Sequence, residues 1–360
     1  MIGLVTFLAP LLLGQTPVAP ATEVSLLFAG DAMQHQAQIA SARNGEGYDY
    51  TDCFEVIAPE IAEADYAVVN LEAPAGGAPY TGYPCFSAPD AFPAALQRAG
   101  FDLFLTANNH CLDRYSRGAL RTLHLLDTLG VEHAGTYDSN RSLERFHPLM
   151  TQVGGIRIAF LNYTYGTNGF APSPPLIVNY IERKRIQRDI RRAKALQAEL
   201  IVACLHWGDE YQLLPNARQK ELADMLVAEG VQLVIGSHPH VIQPMEVRYD
   251  AAGNPQALVV YSLGNFISNM KTRDTVGGAL VKVNVARNSM NRVVLQSAQY
   301  TLVYTRRPVT ARDPFVVVPA EQEVQDHPQR PHLKGFLQKA REIFSRHNKG
   351  VTEYFIKSSN

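Results

Sequence analysis

Cysteine is scarce in this sequence: the 360 residues include only Cys53, Cys85, Cys111 and Cys204. The four lie far apart and form no Cys-x-x-Cys pair, which argues against a zinc knuckle and a thioredoxin-type redox motif. Cys204 lies in an apolar run and is expected to be a buried free thiol. In an exported protein two of the cysteines can pair, and their spacing does not single out which two.

Neither sign of charge is in excess, because 33 basic and 34 acidic residues give a formal net charge of −1. This balance offers no general attraction to nucleic acid or to acidic membranes. Basic residues do cluster between Arg183 and Lys194. Ile186 and Ile190 add an apolar stripe to that segment, so we interpret its charges as the solvated face of one helix. We therefore predict no nucleic-acid partner.

Long apolar runs are missing as well. The segment from Met1 to Leu13 is almost wholly apolar, but it is too short to span a bilayer. Ala19-Pro20-Ala21 then gives the small-x-small pattern of a signal-peptidase site, although no Lys or Arg precedes Arg43. We predict a signal peptide over residues 1–21, export to the periplasm or the exterior, and no stable transmembrane segment. An uncleaved N-terminal strand is the alternative.

Short apolar runs alternate with amphipathic segments along the first two thirds of the chain. The runs are typical of buried strands, and they lie at Val24–Ala29, Ala67–Leu71, Asp102–Leu105, Ile156–Leu161, Leu200–Leu205 and Leu233–Ile235. Helical spacing covers Phe54–Ala64, Ala91–Ala99, Ser116–Leu129, Ile181–Gln197 and Ala217–Glu229. Gly100, Gly130 and Gly230 directly follow three of these segments, where a helix commonly ends. The alternation predicts an α/β fold with at least one largely parallel region of sheet.

The pattern changes after Leu258. Three further segments are typical of a hairpin or meander, namely Leu258–Leu263, Ala279–Val285 and Val293–Val303. A last helix is predicted at about Leu333–Phe344, and the chain shows no internal repeat or evident linker. We therefore predict one catalytic domain over residues 22–310 and a C-terminal extension with one helix over residues 311–360.

Polar clusters follow five of the predicted strands directly. They contain Asp31, Glu72, Asn109 with His110, His206 with Glu210, and His238 with His240. In open α/β sheets, ligands bind outside the carboxyl ends of the strands, so clusters on separate strands can converge on one site. Carboxylates and imidazoles without cysteine suit Zn²⁺, Mn²⁺ or Fe and argue against a closed structural zinc site.

Three of the clusters also have a simpler interpretation when they are taken alone. Asp31 can cap a helix, Asn109 can belong to a turn, and His206 can be a packed core histidine. Five clusters that all lie at strand ends favour a metal-dependent site over these separate explanations. The sequence therefore predicts metal chemistry with one or two divalent ions.

The order of the clusters resembles the calcineurin-like metallophosphatase superfamily. More closely, it is similar to the CapA family, named for poly-γ-glutamate capsule synthesis. The residues that carry the similarity are Gly30-Asp31-Ala32-Met33, Asn70-Leu71-Glu72, Ala107-Asn108-Asn109-His110, His206-Trp207-Gly208-Asp209-Glu210-Tyr211, Gly236-Ser237-His238-Pro239-His240 and Tyr261-Ser262-Leu263-Gly264-Asn265-Phe266. The resemblance implies a layered sandwich in which two β-sheets are flanked by helices.

The same resemblance implies roles for individual residues. It puts Asp31 and His240 on one ion and Asn109, His206 and His238 on another, with Glu72 bridging them. It gives His110 the part of the histidine that contacts the scissile group or protonates the leaving group, and Glu210 is a candidate base. Met33 stands where the superfamily has a second histidine ligand, which leaves one ion or two open.

The leading interpretation is a metal-dependent hydrolase that acts in cell-envelope or capsule polymer metabolism. Its expected substrate is an anionic polymer, a peptide or a phosphoester, and an envelope polymer synthase is a candidate partner. Two alternatives stay open. One is a non-hydrolytic, peptide-epimerase-like enzyme on the same site. The other is a non-catalytic capsule assembly factor that uses the site for structure or binding.

Overall fold

The computed structural model describes residues 23–310, 313–322 and 330–356. The predicted signal peptide therefore lies outside the described residues. The strands of the described part are β1 Glu23–Ala32, β2 Arg43–Asn44, β3 Gly47–Tyr48, β4 Tyr66–Leu71, β5 Leu103–Leu105, β6 Glu132–Ala134, β7 Thr136–Tyr137, β8 Leu149–Val153, β9 Ile156–Thr164, β10 Ile177–Val178, β11 Leu200–His206, β12 Leu233–Ser237, β13 Met245–Tyr249, β14 Pro255–Val260, β15 Asn265–Ile267, β16 Gly277–Arg287, β17 Val293–Arg306, β18 Val316–Pro319 and β19 Thr352–Glu353. The α-helices are α1 Gln36–Ser41, α2 Thr51–Phe54, α3 Ala58–Ala62, α4 Ala91–Arg98, α5 Tyr115–Leu129, α6 Asn140–Phe146, α7 Arg183–Ala195, α8 Ala217–Ala228 and α9 Arg330–His347.

Two large β-sheets form the centre of the molecule. The first has the strand order β18-β17-β16-β1-β4-β5-β6, and the second has the order β13-β14-β12-β11-β9-β8. The pairs from β1 to β6 in the first sheet are parallel, as are the pairs that join β9, β11, β12 and β14 in the second. Antiparallel strands complete the edges of both sheets. The prediction of an α/β fold with parallel sheet is confirmed.

The sheets face each other across a shared apolar core, and helices cover their outer faces. Alternate side chains of a strand point to opposite faces. Phe28 of the first sheet and Val202 of the second therefore belong to the core between the sheets. Leu27 packs with Phe92 of α4 on the outer face of the first sheet. On the second sheet, side chains of α7 and α8 such as Leu226 take that place. The fold is a sandwich of two sheets flanked by helices, as predicted.

Most of the predicted elements are present, but the prediction of one helix was wrong. The six predicted buried strands correspond to β1, β4, β5, β9, β11 and β12, and four of the helices end within two residues of the prediction. The helix predicted over Phe54–Ala64 is two short helices, α2 and α3. Pro59 lies in the first turn of α3, where its missing N–H is tolerated, whereas the same proline would interrupt a helix that continued from α2.

The end of β14 also differs from the prediction, and this difference matters for the site. The strand predicted over Leu258–Leu263 ends at Val260. The chain then turns through Gly264, whose φ of +69° is a left-handed conformation that glycine adopts without strain. The carbonyl of Gly264 accepts a hydrogen bond from the backbone N–H of Asp31 at 3.0 Å. This turn ties the second sheet to the end of β1.

The described part of residues 311–360 packs on the first sheet. Strand β18 pairs with β17 in antiparallel fashion, and β19 pairs with the same strand. Phe344 of α9 contacts Tyr300 with a distance of 4.6 Å between ring centroids. An extension of the sheet and an integral part of the domain both give such packing, so the boundary at residue 310 stays a prediction.

None of the helices in the described ranges is long and apolar enough to cross a bilayer.

Candidate metal centre

The carboxyl ends of parallel strands from both sheets converge at one edge of the sandwich. Strand β1 brings Asp31 there, Glu72 follows β4, His206 ends β11, and His238 follows β12. These ends lie level with one another because Asp31 pairs with Asn70 across β1 and β4, and His206 pairs with Ser237 across β11 and β12. The predicted ligands Asp31, Glu72, Asn109, His206, His238 and His240 are all buried at this edge.

A β-bulge turns the carboxylate of Asp31 towards the site. The register of β1 against β4 shifts between Ala29 and Asp31, so Gly30 is the extra residue. Without the bulge, strict alternation would place Asp31 on the outer face with Leu27 and Ala29. A Cβ atom on Gly30 would lie 2.0 Å from the carbonyl oxygen of Gly264. Glycine is therefore needed for the close approach that holds the bulge in place.

His238 and His240 share the site because the backbone turns sharply at both residues. Their φ angles are +101° and +58°, in the left-handed region that residues with side chains seldom adopt. The backbone N–H of His238 donates to Oδ2 of Asp31 at 3.3 Å. The two imidazole centroids lie 6.1 Å apart. Strained backbone of this kind persists where the surrounding structure fixes it, and such positions cluster at functional sites.

The candidate ligands form two groups that share Glu72. One group contains Glu72, His206 and His238, and the other contains Asp31, Glu72 and His240; in each, the candidate ligand atoms lie within 4.8 Å of one another. Oε1 of Glu72 is 3.5 Å from Nε2 of His206 and 3.9 Å from Nε2 of His240. Asn109 adjoins the first group, with its Oδ1 2.8 Å from Nε2 of His206.

The environment of Glu72 fits a cation. Both of its carboxylate oxygens are buried without a hydrogen-bond partner, and so is Nδ1 of His238. Burial and the neighbouring Asp31 carboxylate raise the pKa of Glu72 well above its usual value. A buried carboxylate without a partner is unfavourable unless a proton or a cation compensates it. Unpartnered oxygen and nitrogen atoms from two sheets are the donor set that a divalent ion of borderline softness would use.

Two of the buried histidines, His206 and His238, are held in the neutral form that binds metal. Burial and the nearby His238 lower the pKa of His206 well below its usual value. Burial and the nearby His240 lower the pKa of His238 to about 3. Since only the neutral imidazole has a lone pair to offer, these pKa shifts favour metal binding at neutral pH.

Two asparagines that sequence reasoning did not assign to the site position the ligands. Nδ2 of Asn70 donates to Oδ1 of Asp31 at 2.7 Å and lies 3.3 Å from Nδ1 of His206. Oδ1 of Asn265 lies 3.1 Å from Nδ1 of His240. The signal for Asn70 was its spacing of two residues from Glu72, which puts both side chains on one side of an extended chain. Asn265 belongs to a motif that carried the family resemblance.

The carboxylate of Asp31 stays ionised in spite of its burial. Burial by itself raises the pKa of Asp31, but the contact of Oδ2 with Nδ1 of His240 at 3.3 Å and the hydrogen bond from Asn70 bring it below the usual value. The two carboxyl groups therefore differ in pKa. Asp31 is an anion in the folded protein, whereas Glu72 has a raised pKa and is stabilised as an anion only by a nearby cation.

Met33 packs in the apolar cluster on the outer face of the first sheet and belongs to neither ligand group. Its carbonyl oxygen accepts a hydrogen bond from the side chain of Gln38 at 3.0 Å. His35 is also outside both groups, and its ring lies edge-on to Phe86 with 5.5 Å between centroids. Met33 stands where the resemblance implies a second histidine ligand. It is a core residue, and within the described part of the chain His35 does not join either ligand group in its place.

The imidazole of His110 is fixed beside the ligand groups. Its Nδ1 lies 2.7 Å from Oδ2 of Asp113, which also accepts the backbone N–H of Phe86 at 2.7 Å. Nδ2 of Asn168 lies 3.5 Å from the same nitrogen, and Oδ1 of Asn168 accepts from Nδ2 of Asn109 at 3.3 Å. A carboxylate on Nδ1 leaves Nε2 as the nitrogen that can contact a substrate.

Glu210 lies at the rim rather than among the buried residues. Its side chain is exposed, and it is in neither of the ligand groups found in the described residues. Its charge nevertheless contributes to the raised pKa of Glu72. Tyr211 beside it and Tyr165 opposite are half-exposed, and the Tyr165 ring lies 4.5 Å from the ring of His238. The two tyrosines form the solvent-facing wall of the site. The roles of all these residues stay predictions.

One family model matches a part of the chain that includes the whole candidate site. The family model described as "Bacterial capsule synthesis protein PGA_cap" matches residues 25–270. The chain belongs to this family. The match includes every candidate ligand from Asp31 to His240, together with His110, Glu210 and Asn265.

Two relatives from Bacillus have capsule-related names. The capsule biosynthesis protein CapA of Bacillus anthracis is 26% identical over 285 residues, which cover 74% of this chain and 65% of the relative. The PGA biosynthesis protein CapA of Bacillus subtilis (strain 168) is 30% identical over 212 residues, which cover 55% of this chain and 50% of the relative. The PGA_cap chain described here thus spans between half and two thirds of the length of these relatives.

Solved nucleotidases resemble the PGA_cap chain in overall fold. The NAD nucleotidase of Haemophilus influenzae gives a TM-score of 0.48 at 13% identity, covering 94% of this chain and 65% of that protein. The 5'-nucleotidase precursor of Thermus thermophilus gives 0.47 at 14% identity, covering 89% and 59%. At TM-scores below 0.5, these similarities say nothing about the reaction of this chain.

Proposed function

We propose that this chain is a metal-dependent hydrolase that acts in the metabolism of a cell-envelope or capsule polymer. The observation that carries the proposal is Glu72, whose two buried oxygens have no hydrogen-bond partner and which belongs to both ligand groups. A carboxylate shared between two sets of nitrogen and oxygen donors is the arrangement of a two-metal hydrolase. The substrate class is an anionic polymer, a peptide or a phosphoester.

The proposed ligands of the metal are Asp31, Glu72, Asn109, His206, His238 and His240. They would hold a divalent ion, Mn, Zn or Fe, which would supply Lewis acidity and lower the pKa of a bound water towards neutrality. His110 donates a proton from Nε2 to the leaving group, while Asp113 holds its Nδ1. Glu210 at the rim is the candidate base.

The cellular setting is proposed on two grounds. The relatives of Bacillus anthracis and Bacillus subtilis are named for capsule or PGA biosynthesis. The predicted signal peptide over residues 1–21 would export the chain to the same compartment as an envelope polymer. A polymer synthase of the envelope is the partner that such a setting suggests.

Turnover in labelled water tests the proposed function. The metal-loaded full chain is incubated with a γ-linked glutamate oligomer and, separately, with p-nitrophenyl phosphate, in ²H₂¹⁸O. Hydrolysis adds one water across the cleaved bond, so ¹⁸O is expected in the new carboxylate or phosphate, without deuterium at Cα. The His206→Ala/His238→Ala variant serves as the control without activity.

Other outcomes favour the alternatives. An oligomer that keeps its length but gains deuterium at Cα would indicate epimerisation instead of hydrolysis. In that reaction His110 would transfer the Cα proton. Binding of the oligomer without either label would identify an assembly factor. Both results would contradict the hydrolase proposal.

A further inference from the structure

A cavity rich in arginine lies beside Asp113, the hydrogen-bond partner of His110. Its volume is about 650 Å³, and the first turns of α5 and the loop at Gly76 line it. Asp113 belongs both to the wall of this cavity and to the hydrogen bond with His110 at 2.7 Å. The cavity therefore adjoins His110 through Asp113, and it has room for a ligand larger than a single phosphate group.

The cavity has an excess of positive charge. Three arginines line it, namely Arg114, Arg117 and Arg121. Arg121 is neutralised, because its two terminal nitrogens contact the carboxylate of Asp90 at 2.7 and 2.6 Å. Neither Arg114 nor Arg117 forms an ion pair within the part of the chain that the structure describes. The one carboxylate in the wall, Asp113, contacts His110 and accepts a backbone N–H through Oδ2, while its buried Oδ1 has no hydrogen-bond partner.

The stem of Arg114 is held by two glycines. A Cβ atom on Gly76 would lie 2.4 Å from Cγ of Arg114, and one on Gly118 would lie 2.2 Å from its Cβ. Any larger residue at either position would displace the arginine. A side chain that packing has already ordered loses less conformational entropy when it binds a ligand, so Arg114 is preorganised in the wall of the cavity.

Aromatic rings complete the wall. Tyr115, the residue after Arg114, is 67% exposed. Its ring lies edge-on to that of Phe170, with 5.3 Å between the ring centroids. Both rings line the cavity. Aromatic faces next to unpaired guanidinium groups offer contacts to apolar spacers and to anionic groups of the same ligand.

We propose that this cavity binds carboxylate groups of an anionic polymer chain, with Arg114 and Arg117 as the residues that set specificity. The guanidinium fork matches a carboxylate in a bidentate manner, and the aromatic wall accommodates the methylene groups between successive carboxylates. The inference rests on the proposed function for one point, namely that the bond that reacts lies at the metal centre beside His110. It narrows the substrate class to a chain that carries carboxylate groups, and it names the residues that bind them.

Binding of a fluorescent γ-linked glutamate oligomer to the metal-loaded full chain tests the cavity. Hydrogen bonds to charged groups contribute enough that loss of two arginines is expected to raise the Kd of Arg114→Ala/Arg117→Ala at least about tenfold. Its metal content is expected to equal that of the wild type. Arg114→Lys/Arg117→Lys keeps the charges without the fork, and its Kd is expected between those of the wild type and the alanine variant.

The matched control is Lys184→Ala/Arg191→Ala, which removes two exposed positive charges from α7. It is expected to bind the oligomer like the wild type. Equal affinity of the wild type and Arg114→Ala/Arg117→Ala, an equal loss in the α7 control, or equally strong competition by inorganic phosphate would overturn the proposal.

Failure of the proposed function gives a different result. His206→Ala/His238→Ala is expected to keep the oligomer affinity while it loses turnover, because its two arginines are intact. A wild type that binds the oligomer through Arg114 and Arg117 but never cleaves it would refute the hydrolase and leave the binding cavity in place.

Discussion

Replacement of Glu72 by glutamine is expected to lower the affinity for metal in both ligand groups at once. Glu72 is the member that the two groups have in common. Glutamine keeps the size of the side chain but cannot ionise, so each group loses its anionic shared ligand. Loss of residues that merely support a ligand costs about 10–100-fold in metal affinity or activity, and loss of this ligand is expected to cost at least about 100-fold in both. Equilibrium dialysis against Mn²⁺ followed by elemental analysis measures the affinity.

Single histidine variants are the controls for this experiment. His238→Ala changes one group and His240→Ala changes the other. Each is expected to lose less metal than Glu72→Gln, because the second group keeps all of its ligands. Urea unfolding of every variant in chelator checks that the fold persists. A Glu72→Gln protein with wild-type metal content would contradict the shared-ligand arrangement.

Replacement of His110 by glutamine is expected to lower kcat by about 10²–10⁴-fold, the usual contribution of a positioned general acid. His110 is buried beside the ligands but belongs to neither group, so its removal takes away a proton donor and leaves the ligands in place. Metal content is therefore expected to match the wild type. Steady-state kinetics together with metal analysis separate the two effects.

Asp113→Asn gives a graded version of the same test. Asparagine can still contact Nδ1 of His110, but it no longer supplies the carboxylate at 2.7 Å that fixes the ring and its tautomer. A smaller loss of kcat than in His110→Gln is expected. If His110→Gln lost metal, or kept full kcat, His110 would have no role as a proton donor.

Much of the fold was predictable because buried strands have a simple signature. The apolar runs that became β1, β4, β9, β11 and β12 are enclosed on both faces, so almost every residue in them is apolar. The position of the candidate ligands was predictable for a related reason. Polar residues that directly follow such strands lie at the same edge of a parallel sheet.

The remainder of the site depends on local backbone geometry, which hydrophobic patterns do not encode. Gly30 forms a bulge that reverses the face of Asp31, and this bulge packs against Gly264 in the turn between β14 and β15. The left-handed backbone of His238 and His240 is equally a product of tertiary packing. Glycine was a visible signal at Gly30, whereas nothing in the local sequence indicated positive φ at the histidines.

Long-range contacts decided the other features that sequence reasoning missed. Asn70 reaches the side chains of Asp31 and His206, residues that are far away in the chain. Likewise, Gly76 in a loop and Gly118 in α5 both pack closely against the side chain of Arg114. Each of these residues has an unremarkable local environment in the sequence, so only the folded chain shows what it contacts.

Elemental analysis of the purified full chain tests most directly whether this edge of the sandwich is a metal site. The wild type is compared with His206→Ala/His238→Ala and with His124→Ala/His347→Ala, which removes two exposed histidines instead. We expect about one equivalent or more of Mn, Zn or Fe in the wild type and the surface control, and a loss of this metal in the site variant. Equal metal content in all three proteins, or no metal in the wild type after reconstitution with each ion, would contradict the account.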